Sequence, residues 1–140
     1  MAQLRVRDLM TSEVRSVDVS DTLTEVYDVL DDLHVRHVPV VDEDGDLVGL
    51  ITHRDLSKYA MASLEQLPVS SQREALSGIG VGELMAKDPE CVGPDLLLEE
   101  AANMMLENKF GCLPVTEDRR LVGILTEADF VKYVRDSLAE

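Results

Sequence analysis

Cysteine is scarce. Cys91 and Cys112 are the only two, and neither stands in a CxxC pair or beside a histidine cluster, so zinc sites and thioredoxin-type redox chemistry have no ligand spacing to build on. Three histidines, His34, His37 and His53, lie close in sequence, but none has the i, i+4 spacing of a zinc-binding helix. Long apolar runs are missing too: the 45% of hydrophobic residues is broken into runs of a few, which argues against a helix that spans a bilayer. The opening MAQLRVRDLM is charged within its first seven residues and has no apolar stretch, so no secretory signal is expected and the cytoplasm is the expected compartment.

Basic residues are the other shortage. The chain has 13 lysines and arginines against 28 aspartates and glutamates, a formal net charge of −15, and a surface of that sign repels phosphate backbones and anionic lipid. Nucleic acid and membrane are therefore not expected partners. Four of the bases are lysines and fifteen of the acids are aspartates, a balance shared by proteins of a high-salt cytoplasm and by acidic mesophile proteins. What remains is a chain of 140 residues, long enough to bury roughly two-thirds of its unfolded surface and to fold without a disulfide or a metal.

The most informative feature is an internal repeat. The chain reads VRDLMTSEV from Val6 and VGELMAKDP from Val81, and at a spacing of 75 that becomes 74 after one loop deletion, the two copies share fifteen identical positions. Among them are Leu9/Leu84, Met10/Met85, Pro39/Pro114, Val40/Val115, Gly49/Gly123, Thr52/Thr126 and Asp55/Asp129. Each copy is small for an independent domain. The expected organisation is repeat 1 over 1–60, a partly helical connector over 61–80 and repeat 2 over 81–140, with the repeats packed together.

Within each copy the hydrophobic period changes in the order strand, helix, strand, strand, helix, which predicts an α+β or α/β fold of two pseudo-symmetric βαββα units. Leu23, Val26, Tyr27, Leu30 and Leu33 recur at helical spacing after Asp21 and Thr22, with Glu25 placed as in a capping box. The run Val38-Pro39-Val40-Val41, the turn Glu43-Asp44-Gly45-Asp46 and Leu47 to Ile51 predict a β-hairpin. A second helix is predicted after Thr52, and its counterpart after Thr126.

The strand-to-helix junctions Thr52-His-Arg-Asp55 and Thr126-Glu-Ala-Asp129 carry the candidate chemistry. A threonine there sets a hydroxyl beside free backbone N–H groups and the positive end of a helix, a natural phosphate position. An aspartate three residues on faces the same mouth, and its two oxygens suit the vicinal hydroxyls of a ribose. Val38-Pro39 and Leu113-Pro114 supply an apolar wall with exposed backbone groups, since proline cannot donate to a ladder and favours strand edges, where an adenine could stack or pair. Thr-x-x-Asp is equally a helix cap worth roughly 1 kcal/mol with no ligand present. The two roles are compatible.

On these residues each copy resembles a CBS domain, the unit named for cystathionine β-synthase, and the tandem resembles a Bateman module. The resemblance spans nearly the whole chain: the Leu-Met near each copy's start, Val38-Pro39-Val40 and Leu113-Pro114-Val115, and the segments Gly49–Asp55 and Gly123–Asp129. It implies a regulatory module that binds an adenosine-containing nucleotide (AMP, ADP, ATP or similar, with or without magnesium) in a cleft between the repeats and signals to a partner protein by a conformational change. No tightly bound cofactor is implied. The alternatives are an S-adenosylmethionine sensor and a constitutive dimerisation module that binds no ligand.

In relatives of this kind, basic residues near the motif point at ligand phosphates. Repeat 1 offers Arg36, His37, His53 and Arg54, where repeat 2 has Gly111, Cys112, Glu127 and Ala128. The difference predicts one phosphate-competent site and a second that is empty, adenosine-like or cation-binding; the alternative is a solvated rim of bases paired with acids such as Asp31 and Asp32. The resemblance also implies a homodimer through the helix faces bearing Leu56/Tyr59 and Phe130/Val134, and a regulated protein that the residues do not identify. The sequence holds no nucleophile, base and orienting group in a recognisable set and no P-loop, so no enzyme is expected.

Overall fold

Local structure follows the changes of period. The structure, a computed structural model, describes residues 3–33 and 35–139. In chain order it contains α1 (Val6–Leu9), β1 (Val17–Asp18), α2 (Leu23–Leu33), β2 (His37–Val41), β3 (Leu47–Thr52), α3 (His53–Tyr59), a π-helical turn (Ala60–Leu64), α4 (Val69–Ser77), α5 (Val81–Leu84), β4 (Ala86–Lys87), α6 (Leu98–Asn108), β5 (Cys112–Glu117), β6 (Arg120–Thr126) and α7 (Glu127–Leu138). These form two compact units that are offset from the repeat boundaries: Arg15–Pro89 is one, and Met1–Val14 with Glu90–Glu140 is the other. The offset has a packing cause. Val81, at the head of repeat 2, is buried in the core of the first unit, and Val6, at the head of repeat 1, is buried in the core of the second.

The first unit, Arg15–Pro89, holds a four-stranded sheet in the order β1-β2-β3-β4. β1 runs parallel to β2, while β2/β3 and β3/β4 are antiparallel. The apolar face of α2, with Leu23, Val26, Val29 and Leu30, joins Val38, Val40, Ile51 and Leu56 in the core. The predicted cap is half formed. Thr22 donates both its N–H (2.9 Å) and its hydroxyl (2.6 Å) to Glu25 Oε2, and the Thr22 hydroxyl holds the Glu25 carboxyl below its ordinary pKa. The hairpin turn closes on Gly45 at φ 84° and is held by Asp42 Oδ1, which accepts from the N–H groups of Asp44 and Asp46. The connector is partly helical, and Leu64 and Leu76 from it are buried in this core.

In the second unit β5 and β6 form the equivalent hairpin. Single bridges, Val92 with Val115 (parallel) and Thr11 with Ile124 (antiparallel), stand where β1 and β4 stand in the first unit. The predicted first strand of repeat 2 is thus reduced to one bridge at Val92. Val6, Val92, Leu98, Ala101, Met105, Leu113, Val115 and Leu125 make up the core. The N-terminal segment is tied in by its backbone: Val6 N–H donates to the Leu96 carbonyl (2.9 Å), and Thr11 and Ile124 exchange N–H···O bonds (2.9 and 3.0 Å). Arg7 forms an ion pair with Asp95.

Gly123 permits this close approach. A methyl group there would lie 2.8 Å from Met10 Sδ and 3.0 Å from the Thr11 carbonyl oxygen, and the carbonyl cannot withdraw without loss of its bond from Ile124 N–H. Gly123→Ala is therefore expected to destabilise the second unit by about 1–3 kcal/mol, the usual range for overpacking. Urea denaturation of the full chain, followed by circular dichroism, checks this.

Of the residues expected at a self-association face, Leu56 is withdrawn by burial, whereas Val134 is exposed. Leu56 is buried in the core of its own unit, and Tyr59 and Phe130 pack against their cores. The apolar side chains that α7 leaves exposed are Val131, Tyr133, Val134 and Leu138. Among the described residues no helix is long and apolar enough to cross a membrane.

Candidate functional site

Each Thr-x-x-Asp segment sits where sequence placed it, on the last residue of a strand and the first turn of a helix: Thr52 ends β3 and Thr126 ends β6. In the first unit the motif is a reciprocal cap. Asp55 N–H donates to Thr52 Oγ1, and Thr52 N–H donates to Asp55 Oδ2, both at 3.1 Å. Asp55 Oδ1 has no partner among the described residues, and the Thr52 hydroxyl proton is uncommitted. Capping is therefore real here, yet it consumes only one carboxylate oxygen.

The bases of repeat 1 gather at this junction. His37 stands opposite Thr52 in the β2/β3 ladder, and His53 N–H donates to the Arg36 carbonyl at 2.8 Å. Two backbone contacts thus bring Arg36, His37 and His53 to Thr52, and Arg54 follows His53 in the first turn of α3. Arg36, His53 and Arg54 are exposed. Among the described residues neither Arg36 nor Arg54 forms an ion pair, and the arginine ion pairs present are Arg7–Asp95, Arg73–Asp28 and Arg135–Asp136. His34 lies outside the described residues.

In the second unit the same backbone scaffold carries different chemistry. Cys112 stands opposite Thr126, and Glu127 N–H donates to the Gly111 carbonyl at 3.2 Å. Asp129 is buried, 7% exposed. Its Oδ2 accepts from Thr126 N–H (2.9 Å) and the Thr126 hydroxyl (3.2 Å), and its Oδ1 accepts from the Thr11 hydroxyl (3.1 Å). Thr11 was not among the sequence candidates. The available signal was the repeat itself, which aligns Thr11 with Ala86.

Of the expected wall the backbone part remains and the apolar face does not. The side chains of Val38, Pro39, Leu113 and Pro114 are fully buried, so what they could offer a ligand is backbone and not an accessible face. Pro39 lies on β2, between β1 and β3, where it pairs with Leu50. β1 starts one rung later, at Val17 opposite Val40, so the missing N–H of proline costs no ladder bond.

The cysteines divide by environment. Cys112 is buried and desolvation pushes its thiol up to about 12, whereas Cys91 is exposed and accepts a weak bond from the Thr116 hydroxyl at 3.5 Å. Compared with an ordinary thiol at 9.0, Cys112 carries about a thousandfold less thiolate at neutral pH. A disulfide reagent is thus expected to label one thiol per native chain and two per chain in denaturant, as counted by the chromophore released. Among the described residues no group of three or more His, Cys, Asp or Glu side chains is arranged to hold a metal ion.

Comparison with known proteins agrees with this architecture. The CBS-domain family model matches residues 6–62 and 81–136. YlbB of Bacillus subtilis (strain 168) is 32% identical over 126 residues, 89% of this chain and 78% of its own length. Two further curated relatives are longer enzymes, of which the chain spans 22% and 24%. Among solved structures, CBSX2 of Arabidopsis thaliana, in complex with AMP, has TM-score 0.79 at 30% identity and covers 94% of this chain and 97% of its own. The CBS domain pair of protein MJ0100, in complex with 5′-methylthioadenosine and S-adenosyl-L-methionine, has TM-score 0.79 at 25% identity, covering 97% and 99%. With both repeats matched, each over its βαββα segment, this chain belongs to the CBS-domain family and consists of two CBS domains in tandem, a Bateman module.

Proposed function

We propose that the chain is a regulatory module that binds an adenosine-containing nucleotide and reports its occupancy to a partner protein. The carrying observation is the gathering of Arg36, His37, His53 and Arg54 at the junction that also presents Asp55 Oδ1 and the Thr52 hydroxyl. On a chain of net charge −15, one concentrated patch of basic residues beside an uncommitted carboxylate oxygen pairs a phosphate-attracting surface with a ribose acceptor. The AMP complex of CBSX2 supports the same ligand class. Thr126, Asp129, Leu113 and Pro114 form the corresponding segment of repeat 2. Signalling follows if the ligand favours one conformation over another, since an equilibrium shifts only by differential affinity. Catalysis has no part in this reading, no tightly bound cofactor is needed, and the cytoplasm is the natural compartment for such a ligand.

A second reading, S-adenosylmethionine as ligand, is favoured by the MJ0100 complex and by the acidic Glu127 that replaces His53 in repeat 2. A thermal-shift panel of adenosine, AMP, ADP, ATP, S-adenosylmethionine and 5′-methylthioadenosine, with and without Mg²⁺, separates the two. A nucleotide at 100 times its dissociation constant is expected to add about 2.7 kcal/mol, a shift of several degrees, and Arg54→Ala is expected to reduce the shift with ATP far more than with adenosine. A shift with the sulfonium ligand alone supports the second reading. No shift with any of them would leave the Thr-x-x-Asp segments as caps in a constitutive assembly module.

A further inference from the structure

The two repeats place the same two residues, Thr and Asp, on the same scaffold, but a third residue treats them differently. Thr11 bridges to Ile124, the residue after Gly123, and Ala86 pairs with Leu50, the residue after Gly49. Thr11 and Ala86 therefore hold equivalent ladder positions within their own units, and Thr11 is within reach of Asp129. The Thr11 hydroxyl donates to Asp129 Oδ1 at 3.1 Å. Ala86 has only a methyl group to place there.

The consequences can be counted in donors. Asp129 receives three, from Thr126 N–H, the Thr126 hydroxyl and the Thr11 hydroxyl, and both of its oxygens are used in a buried position. Among the described residues Asp55 receives one side-chain-directed bond, from Thr52 N–H, and its Oδ1 is open. The threonines differ as well: Thr52 Oγ1 accepts from Asp55 N–H and keeps its proton for a ligand, whereas the Thr126 hydroxyl spends its proton on Asp129. A vicinal diol needs two acceptor positions on the carboxylate. Asp55 has room for it, and Asp129 has to release Thr11 first.

We infer that Thr11 is an internal substitute for a ribose hydroxyl, which closes the Asp129 motif and leaves the chain with one ribose-binding carboxylate, Asp55. This inference rests on the nucleotide reading above and adds its stoichiometry and the residue that sets it. The hydroxyl that competes is intramolecular and always present, so a ligand at Asp129 gains nothing for a bond it merely exchanges. Ala86 exacts no such exchange at Asp55.

Reciprocal substitution tests this by titration calorimetry of the full chain with AMP. Wild type is expected to bind one AMP per chain, Asp55→Ala to abolish that binding and Asp129→Asn to leave it unchanged. Thr11→Ala, which gives position 11 the residue found at 86, is expected to add a second site that Asp129→Asn removes. Ala86→Thr is expected to weaken the first site about tenfold or more, the worth of one bond to a charged group. Two sites in wild type, or a Thr11→Ala chain that still binds one AMP, overturns the inference. If wild type binds no AMP, the nucleotide reading fails; the inference then stands only if Thr11→Ala acquires a site that depends on Asp129, and falls otherwise.

Discussion

A chain cut to residues 15–89 is expected to unfold in one cooperative transition, whereas chains cut at the repeat boundary, 1–80 and 81–140, are expected to show none. The repeat boundary is where a sequence comparison divides the protein, but it runs through both cores. Chain 1–80 lacks Val81, buried in the first core, together with Leu84 and Met85, which pack against it. It also loses β4 from the sheet edge and the bond from Val81 N–H to the Asp21 carbonyl (2.8 Å). Chain 81–140 lacks buried Val6 with Leu4, Leu9 and Met10, and the paired bonds between Thr11 and Ile124. A fully buried aliphatic side chain contributes about 1.5–3 kcal/mol, and the one lost from each unit, together with the two or three partly buried side chains packed beside it, exceeds what a marginally stable fold of this size can spare. Chain 15–89 keeps every described member of the first core. Thermal melts followed by circular dichroism decide the matter, and equimolar 1–80 with 81–140 is expected to regain the native signal on mixing. A cooperative melt for 1–80 at the midpoint of 15–89 would show that the exchanged segments are dispensable.

The same exchange explains what was and was not legible in the sequence. The hairpins, the helices after Thr52 and Thr126, and the amphipathic face of α2 are local patterns, set by turn chemistry and by spacings of two to four residues. They stand where expected, and the repeat made the family legible as well. Val6 and Val81 read as repeat heads by alignment, yet alignment says which residues are alike and nothing about which core receives them. Thr11 and Asp129 lie 118 positions apart, and no periodicity links them. The apolar face of the wall is buried for a different reason. Proline was read as an edge residue because it lacks an N–H, but β1 is so short that an inner strand also has a rung with no partner at Pro39. Leu56 stands on an apolar helix face, and neither that spacing nor the resemblance says whether the chain's own core has already covered it, as it has.

Asp55 carries the largest predicted effect on binding, and two substitutions separate its two roles. As a cap, the carboxylate needs one oxygen to accept Thr52 N–H; as a ribose ligand it needs a second, the open Oδ1. Asp55→Asn keeps one oxygen, so the amide can still accept from Thr52 N–H, but it puts an NH2 donor where the second acceptor was. The stability of the ligand-free chain is therefore expected to change by less than about 1 kcal/mol, since a capping box closes with an amide as with a carboxylate and one first-turn charge is worth about 0.3–1 kcal/mol. Affinity for AMP is expected to fall by about 1.5–3 kcal/mol, roughly 10- to 150-fold, because a hydrogen bond to a charged group is lost and an unmatched donor faces the ribose. Asp55→Ala loses both functions and is expected to lower stability by about 1 kcal/mol as well. Thermal midpoints without ligand, set beside calorimetric affinities, read the two effects on separate axes. An Asp55→Asn chain that binds AMP as wild type does would reduce the residue to a helix cap, whereas loss of binding at unchanged stability assigns it to the ligand, because the cap survives that substitution and the ribose contact does not.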